Sequence, residues 1–169
     1  MARKELFGVE RTAYSTSFIL ILQKTNIMKA SNRLIEKIKE FEGYKSKAYR
    51  CPAGVWTYGY GHTKHVTLYT SCTKAQAEQW LLDDLKPIEI FLSASTEITK
   101  TQGRFDACVD FCFNLGIPSF RKSTLFKLIL QKASDEDITN QFKRWIYAKG
   151  KPLEGLKKRR AWECDCWTE

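Results

Sequence analysis

The sequence predicts an α+β fold in which a small β-hairpin lobe is joined by a long helix to a mainly helical lobe. Three observations carry that expectation. Apolar residues recur at helical spacing through Leu34, Ile35, Ile38 and Phe41, then change at Gly43 to a two-residue alternation between Val55 and His62. Thr73-Lys-Ala-Gln76 has the form of a capping box and opens one long apolar stripe. Beyond Thr101 the spacing is helical again. A chain of 169 residues is long enough for one core with a small lobe attached.

Ser31 or Asn32 is placed to cap the first helix, and Gly43 to stop it. Tyr44 to Leu68 reads as a small antiparallel sheet. Within it, Trp56, Tyr58, Tyr60 and His62 are expected on one face, and Thr57, Gly59 and Gly61 on the other. The second face is then nearly bare backbone around one hydroxyl, so a ligand can approach it closely. In the long helix, Leu81, Leu85, Ile88 and Leu92 form the stripe, and Pro87 should kink it by removing a backbone hydrogen bond. Phe105, Cys108, Val109 and Cys112 predict a further helix that Asn114-Leu-Gly116 terminates. Ser123 caps a segment carrying Leu125, Leu128 and Ile129. Ser134-x-x-Asp137 opens a helix with Ile138, Phe142 and Trp145 on one face, broken by Gly150 and Pro152. A final amphipathic helix runs from about Leu156 towards Trp167.

Residues 1–27 read as a separate, loosely attached extension, with the organised domain at 28–169, its β lobe at about 43–70 and its helical lobe at about 73–169. The apolar run Phe18 to Leu22 is far below the ~20 residues that span a bilayer. It also lacks the flanks and cleavage site of a signal peptide. No stable membrane span is expected, and Met28 is a candidate natural start.

The apolar and charged fractions, 43% and 28%, are ordinary for a globular protein. The net charge of +9, from 28 basic and 19 acidic residues, favours a polyanionic partner: nucleic acid, an anionic lipid surface or an acidic wall polymer. Nothing resembling a recognition helix or a base-stacking sheet accompanies the charge, which sets nucleic acid aside. The six cysteines, Cys51, Cys72, Cys108, Cys112, Cys164 and Cys166, show no framework-like spacing and read mostly as small buried hydrophobes in a reduced compartment. Cys-x-x-x-Cys and Cys-x-Cys are weak zinc spacings, so no metal is expected.

One stretch combines chemistry with backbone freedom. Glu42, eight residues, Cys51, five residues, Thr57, then Gly59-Tyr-Gly-His62-Thr63 resembles the catalytic signature of the phage-type lysozymes (endolysins, glycoside hydrolase family 24). Phe111-Cys-Phe-Asn-Leu-Gly116, Phe120 and Ser123-Thr-Leu125 resemble that family's substrate-facing helix and turn. Arg144-Trp145 and Gly155-Leu-Lys-Lys-Arg-Arg160 with Glu163 resemble its closing segment. The resemblance covers nearly everything from about Ser31 to Trp167.

It implies a lysozyme-like fold and hydrolysis of the β-1,4 bond between N-acetylmuramic acid and N-acetylglucosamine in peptidoglycan. It places Glu42 as general acid, Cys51 where the family usually has aspartate, and Thr57 as the water-positioning hydroxyl. Gly59, Gly61, Phe113, Asn114 and Ser123 match positions lining the saccharide groove. At a helix end beside a partly apolar cleft, Glu42 would hold a proton near neutral pH. Arg50 would favour the Cys51 thiolate, and Cys72 is a conceivable disulfide partner for redox control. The alternative to an enzyme is a non-catalytic peptidoglycan-binding protein of the same fold. His62 reads as structural, paired with a carboxylate, and Lys157 to Arg160 as a solvated face or an attraction to the anionic wall. The expected enzyme is a monomer needing no cofactor. It would be made in the cytoplasm and act at the cell wall or periplasm after release, through a pore or an export route.

Overall fold

The computed structural model describes residues 27–51 and 54–169. Of the expected extension at 1–27, all but Ile27 lies outside the described residues.

Helix α1 (Asn32–Glu42) starts where Ser31 accepts a hydrogen bond from the Leu34 N–H and stops at Gly43, whose φ of 66° suits glycine. The chain then turns into β1 (Lys45–Arg50), which pairs antiparallel with β2 (Trp56–Gly59). Ser71 bridges Lys47 on the other side of β1, with Ala48 N–H donating to Thr70 O and Cys72 N–H to Ser46 O.

The expected alternation out to His62 is cut short. Positive φ angles at Gly59 and Gly61 end β2 and fold the chain back, so Tyr58 pairs with His62 across a tight turn. Both faces of the strand are therefore covered: Thr57, Tyr58, Gly59 and Tyr60 are all buried.

Thr73 and Gln76 complete the reciprocal capping box of α2 (Lys74–Leu92), and the helix runs through Pro87. Its stripe of Leu81, Leu85, Ile88 and Leu92 is buried. The helix α3 (Gln102–Leu115) is enclosed from Phe105 to Cys112, including Asp106 and Asp110, so it is the central helix of the larger lobe rather than a one-faced one. Short α4 (Ile117–Lys122), which the sequence spacing does not signal, leads into α5 (Thr124–Leu130) and α6 (Asp135–Lys143).

A two-strand hairpin follows, β3 (Tyr147–Ala148) with β4 (Lys151–Pro152). Positive φ at both Lys149 and Gly150 gives the turn whose twist matches paired strands. The last helix, α7 (Glu154–Thr168), buries Arg159, Arg160, Glu163, Cys164, Cys166 and Trp167. It packs one face against α3 and leaves Lys157, Lys158, Ala161 and Asp165 exposed on the other, and the packed face carries charged as well as apolar side chains.

The α3–α7 approach is close. A Cβ on Gly103 would lie 2.1 Å from the Cys166 carbonyl oxygen, so glycine sets the helix separation there. Asp106 accepts from the backbone and hydroxyl of Ser31, tying the start of α1 to α3. The buried carboxylate of Glu89 accepts from Ala30 N–H and Lys29 Nζ, tying the same segment to α2. No helix among the described residues is long and apolar enough to cross a membrane.

Candidate active site

A cleft of about 540 Å³ opens between the hairpin and the helical lobe. Glu42, at the last position of α1, lies in one wall. Tyr49, Cys51 and Thr57 come from the hairpin, Gly61 and Lys64 from the loop after it, Asp84 and Ile88 from α2, and Phe113 and Asn114 from the end of α3. The fold thus brings Glu42, Cys51, Thr57, Gly61, Phe113 and Asn114 to one cavity.

Gly59 and Ser123 lie elsewhere. Gly59 is buried with φ of 61°, where a Cβ would meet Ala77 Cβ at 3.1 Å, so it lets α2 pack against the hairpin. Ser123 is the N-cap of α5, accepting from Phe126 N–H and donating to Phe120 O.

Glu42 does not sit in the apolar setting that the sequence suggests. Arg159 Nη1 donates to its Oε1 at 2.7 Å, while Nε and Nη2 of the same guanidinium grip Asp110 at 2.8 Å each. The Arg159 side chain is 5% exposed and Asp110 is fully enclosed. Burial disfavours a charged guanidinium, yet the Asp110 and then the Glu42 carboxylates hold it above its ordinary range. Phe41 lies under the same guanidinium at 5.1 Å. With two donors of the planar guanidinium held by Asp110, the third orients Glu42 through one oxygen. The other oxygen faces Gly61, where a Cβ would come within 3.4 Å of Oε2, and φ of 87° also demands glycine.

The network continues behind the cleft. Arg160 Nη2 donates to Asn114 Oδ1 at 3.1 Å and Glu163 Oε1 at 2.6 Å, with the Phe111 ring 4.8 Å away. Complete burial pushes the Glu163 carboxyl well above its usual range, against the pull of Arg160. Arg159 and Arg160 are consequently internal, and of the basic run only Lys157 and Lys158 remain as an exposed face.

Thr57 is buried and donates to Val55 O at 3.1 Å, so its hydroxyl proton is committed and its lone pairs remain for an incoming donor. Cys51 is half-buried at the end of β1, its N–H bonded to Val55 O and its carbonyl to Gly54 N–H. Arg50, expected to favour a thiolate, is stacked over the Trp56 ring at 5.1 Å.

Cys72 is not a disulfide partner for Cys51. It pairs with Ser46, five residues back along the strand, which is a separation of about 15 Å where a disulfide needs under about 7 Å between Cα atoms. His62 Nδ1 meets Asp84 Oδ2 at 2.6 Å and stacks on Trp80, while Lys64 holds the other Asp84 oxygen at 2.8 Å. The remaining cysteines are buried thiols, with desolvation pushing Cys164 up to about 11 and Cys166 up to about 12. Among the described residues no three His, Cys, Asp or Glu side chains are grouped to hold a metal ion.

With this geometry in place, comparison with known proteins is decisive. The Phage lysozyme family model matches residues 39–163, from the end of α1 to the core of α7. The chain belongs to the phage lysozyme family.

An endolysin of Acyrthosiphon pisum secondary endosymbiont phage 1 is 38% identical over 137 residues, covering 79% of this chain and 93% of the relative. A SAR-endolysin of Enterobacteria phage PA-2 is 32% identical over 120 residues, covering 70% of this chain and 72% of the relative. Among solved structures, the muramidase domain of SpmX from Asticaccaulis excentricus superposes with a TM-score of 0.70 at 31% identity, covering 83% of this chain and 98% of that one. The lysozyme-like α+β fold and membership of a peptidoglycan-hydrolase family are thereby shown.

Arg159 and Asp110 are the residues that sequence reasoning missed. A signal was present: Asp106 and Asp110 stand four residues apart in an apolar helix, and carboxylates enclosed there require a cation or a strong donor.

Proposed function

We propose that this lysozyme is an active muramidase cleaving the β-1,4 bond between N-acetylmuramic acid and N-acetylglucosamine. The supporting observation is that Glu42, Cys51 and Thr57 share one cleft, with Glu42 oriented by a buried Arg159–Asp110 pair. Glu42 protonates the glycosidic oxygen from Oε2 as the bond to the anomeric carbon breaks. Thr57 accepts a hydrogen bond from a water and turns that water's lone pair towards the developing cation. The Cys51 thiolate takes the water's proton, doing the work of the aspartate usual in the family. No cofactor enters the scheme.

The test is clearing of purified peptidoglycan by the wild type beside Glu42→Gln, Cys51→Asp and Cys51→Ala, each with and without reductant. Glu42→Gln should lose at least about 10²-fold. Cys51→Asp should clear and Cys51→Ala should not. Full activity of Cys51→Ala would remove the thiol from the mechanism. A wild type that binds peptidoglycan without clearing it would support the binding-protein reading, which the replacement of aspartate by Cys51 keeps in play.

The domain is proposed to begin at Met28, whose N–H donates to Ser93 Oγ at 3.0 Å as the first of the ties from 28–31 to α2 and α3. Removal of residues 1–27 should leave Tm and clearing unchanged. The protein is proposed to act as a monomer, checked by light scattering, at the wall after release. Similarity to a relative named SAR-endolysin supports an export-related route.

A further inference from the structure

The β lobe carries an interaction surface that the cleft does not use. From Gly43 to Thr73 there is no aspartate or glutamate, while Lys45, Lys47, Arg50 and Lys64 all fall within it. Lys64 is neutralised by Asp84 and Arg50 lies on Trp56, but no carboxylate among the described residues pairs with Lys45 or Lys47.

The same lobe concentrates exposed apolar side chains: five of the ten large ones among the described residues lie between Tyr44 and Tyr69. Two of them, Leu68 at 57% and Tyr69 at 90% exposure, are consecutive at the tip of a turn. That turn is firmly closed. Thr70 N–H donates to Thr67 O, Thr67 N–H donates to Thr70 Oγ1, and the two hydroxyls meet at 3.0 Å. It is docked beside the lysines, because Ala48 N–H donates to Thr70 O and Ser71 bridges Lys47. A rigid apolar tip is thus presented next to two unneutralised cations.

We propose that this face docks on an anionic phospholipid surface. A hydrated wall polyanion would satisfy Lys45 and Lys47 but offers nothing to Leu68 and Tyr69. The headgroup–acyl boundary satisfies both: tyrosine favours that depth, leucine gains by leaving water, and lysines reach back to the phosphates. Adjacent lysines near such a surface act additively, each contributing about fivefold in affinity.

The test is co-sedimentation of the full chain with vesicles of phosphatidylcholine alone or mixed equally with phosphatidylglycerol. The wild type should partition onto the anionic vesicles alone, and Glu42→Gln should do so equally, which separates docking from hydrolysis. Lys45→Gln/Lys47→Gln should weaken partitioning about 30-fold, and Leu68→Ser/Tyr69→Ser about tenfold or more. All these sites are exposed, and unchanged circular dichroism checks the fold. Three results would overturn the proposal: no preference for anionic vesicles, double variants that bind like the wild type, or an apolar-pair variant with undiminished binding alongside equal capture by soluble polyglutamate. The last would assign the face to a hydrated polyanion instead.

Discussion

Replacing Arg159 by methionine tests the core of the site argument, because one guanidinium serves both stability and the orientation of Glu42. It donates three hydrogen bonds of 2.7 to 2.8 Å to two carboxylates, one of them fully enclosed. Arg159→Met removes the guanidinium from over Phe41 and strands Asp110 as a buried carboxylate without its cation. Loss of one partner from such a pair costs about 3–5 kcal/mol, or about 6–20 °C in Tm for a chain of this size. Glu42 also loses the donor on Oε1, so clearing should fall by about 10²-fold.

The companion variant Arg159→Met/Asp110→Leu separates the two effects. With both charges gone, the apolar pair should restore most of the lost Tm, since packed hydrophobes replace buried ion pairs at little net cost. Glu42 remains without its anchor, so clearing should stay low. Calorimetry and peptidoglycan turbidity read the two quantities on the same samples. A single variant losing less than about 1 kcal/mol, or a double variant clearing at the wild-type rate, would refute the assignment of Arg159 as the positioning residue.

Other perturbations probe independent parts of the structure. Gly61→Ala meets both a φ of 87° and the Glu42 carboxylate, so it should cost about 1–3 kcal/mol and displace the acid, lowering clearing more than Tm alone explains. Gly103→Ala must push the Cys166 carbonyl away and separate α3 from α7. It should lower Tm by about 2–12 °C, and an unchanged Tm would contradict the close approach. Burial raises the Glu163 carboxyl well above its ordinary value in the fold, so the folded chain holds that proton more tightly than the unfolded chain, which releases it above about pH 4.5. Wild-type stability therefore loses this contribution as pH rises from there. Glu163→Gln carries no such proton, so its Tm relative to wild type should rise from about pH 5 to about pH 8. A constant difference would show that Glu163 ionises in the fold.

Local interactions made much of the architecture readable in the chain itself. Ser31, Thr73-Lys-Ala-Gln76, Ser123 and Ser134 mark helix starts because a cap is made within three residues of its donor. Gly43 and Gly116 mark helix ends because few other residues take a positive φ. The spacing of Glu42, Cys51 and Thr57 is likewise local, since all three sit on one helix end and the hairpin that follows it.

Tertiary structure decided what surrounds them. The donor to Glu42 comes from 117 positions away, and the carboxylate that holds that donor is 49 positions from it. No periodicity reveals which acid in α3 meets which arginine in α7, because the charged residues that pair lie on the packed faces of the two helices, where the pattern leads one to expect apolar side chains. The length of β2 escaped the sequence for a related reason. Alternation up to His62 suits a long strand, but close packing of Ala77 on Gly59 and of Glu42 on Gly61 selects a turn. The chain alone thus located a glutamate at the edge of a cleft. Only the packing of α7 on α3 determined that a buried cation, and not an apolar wall, holds it in place.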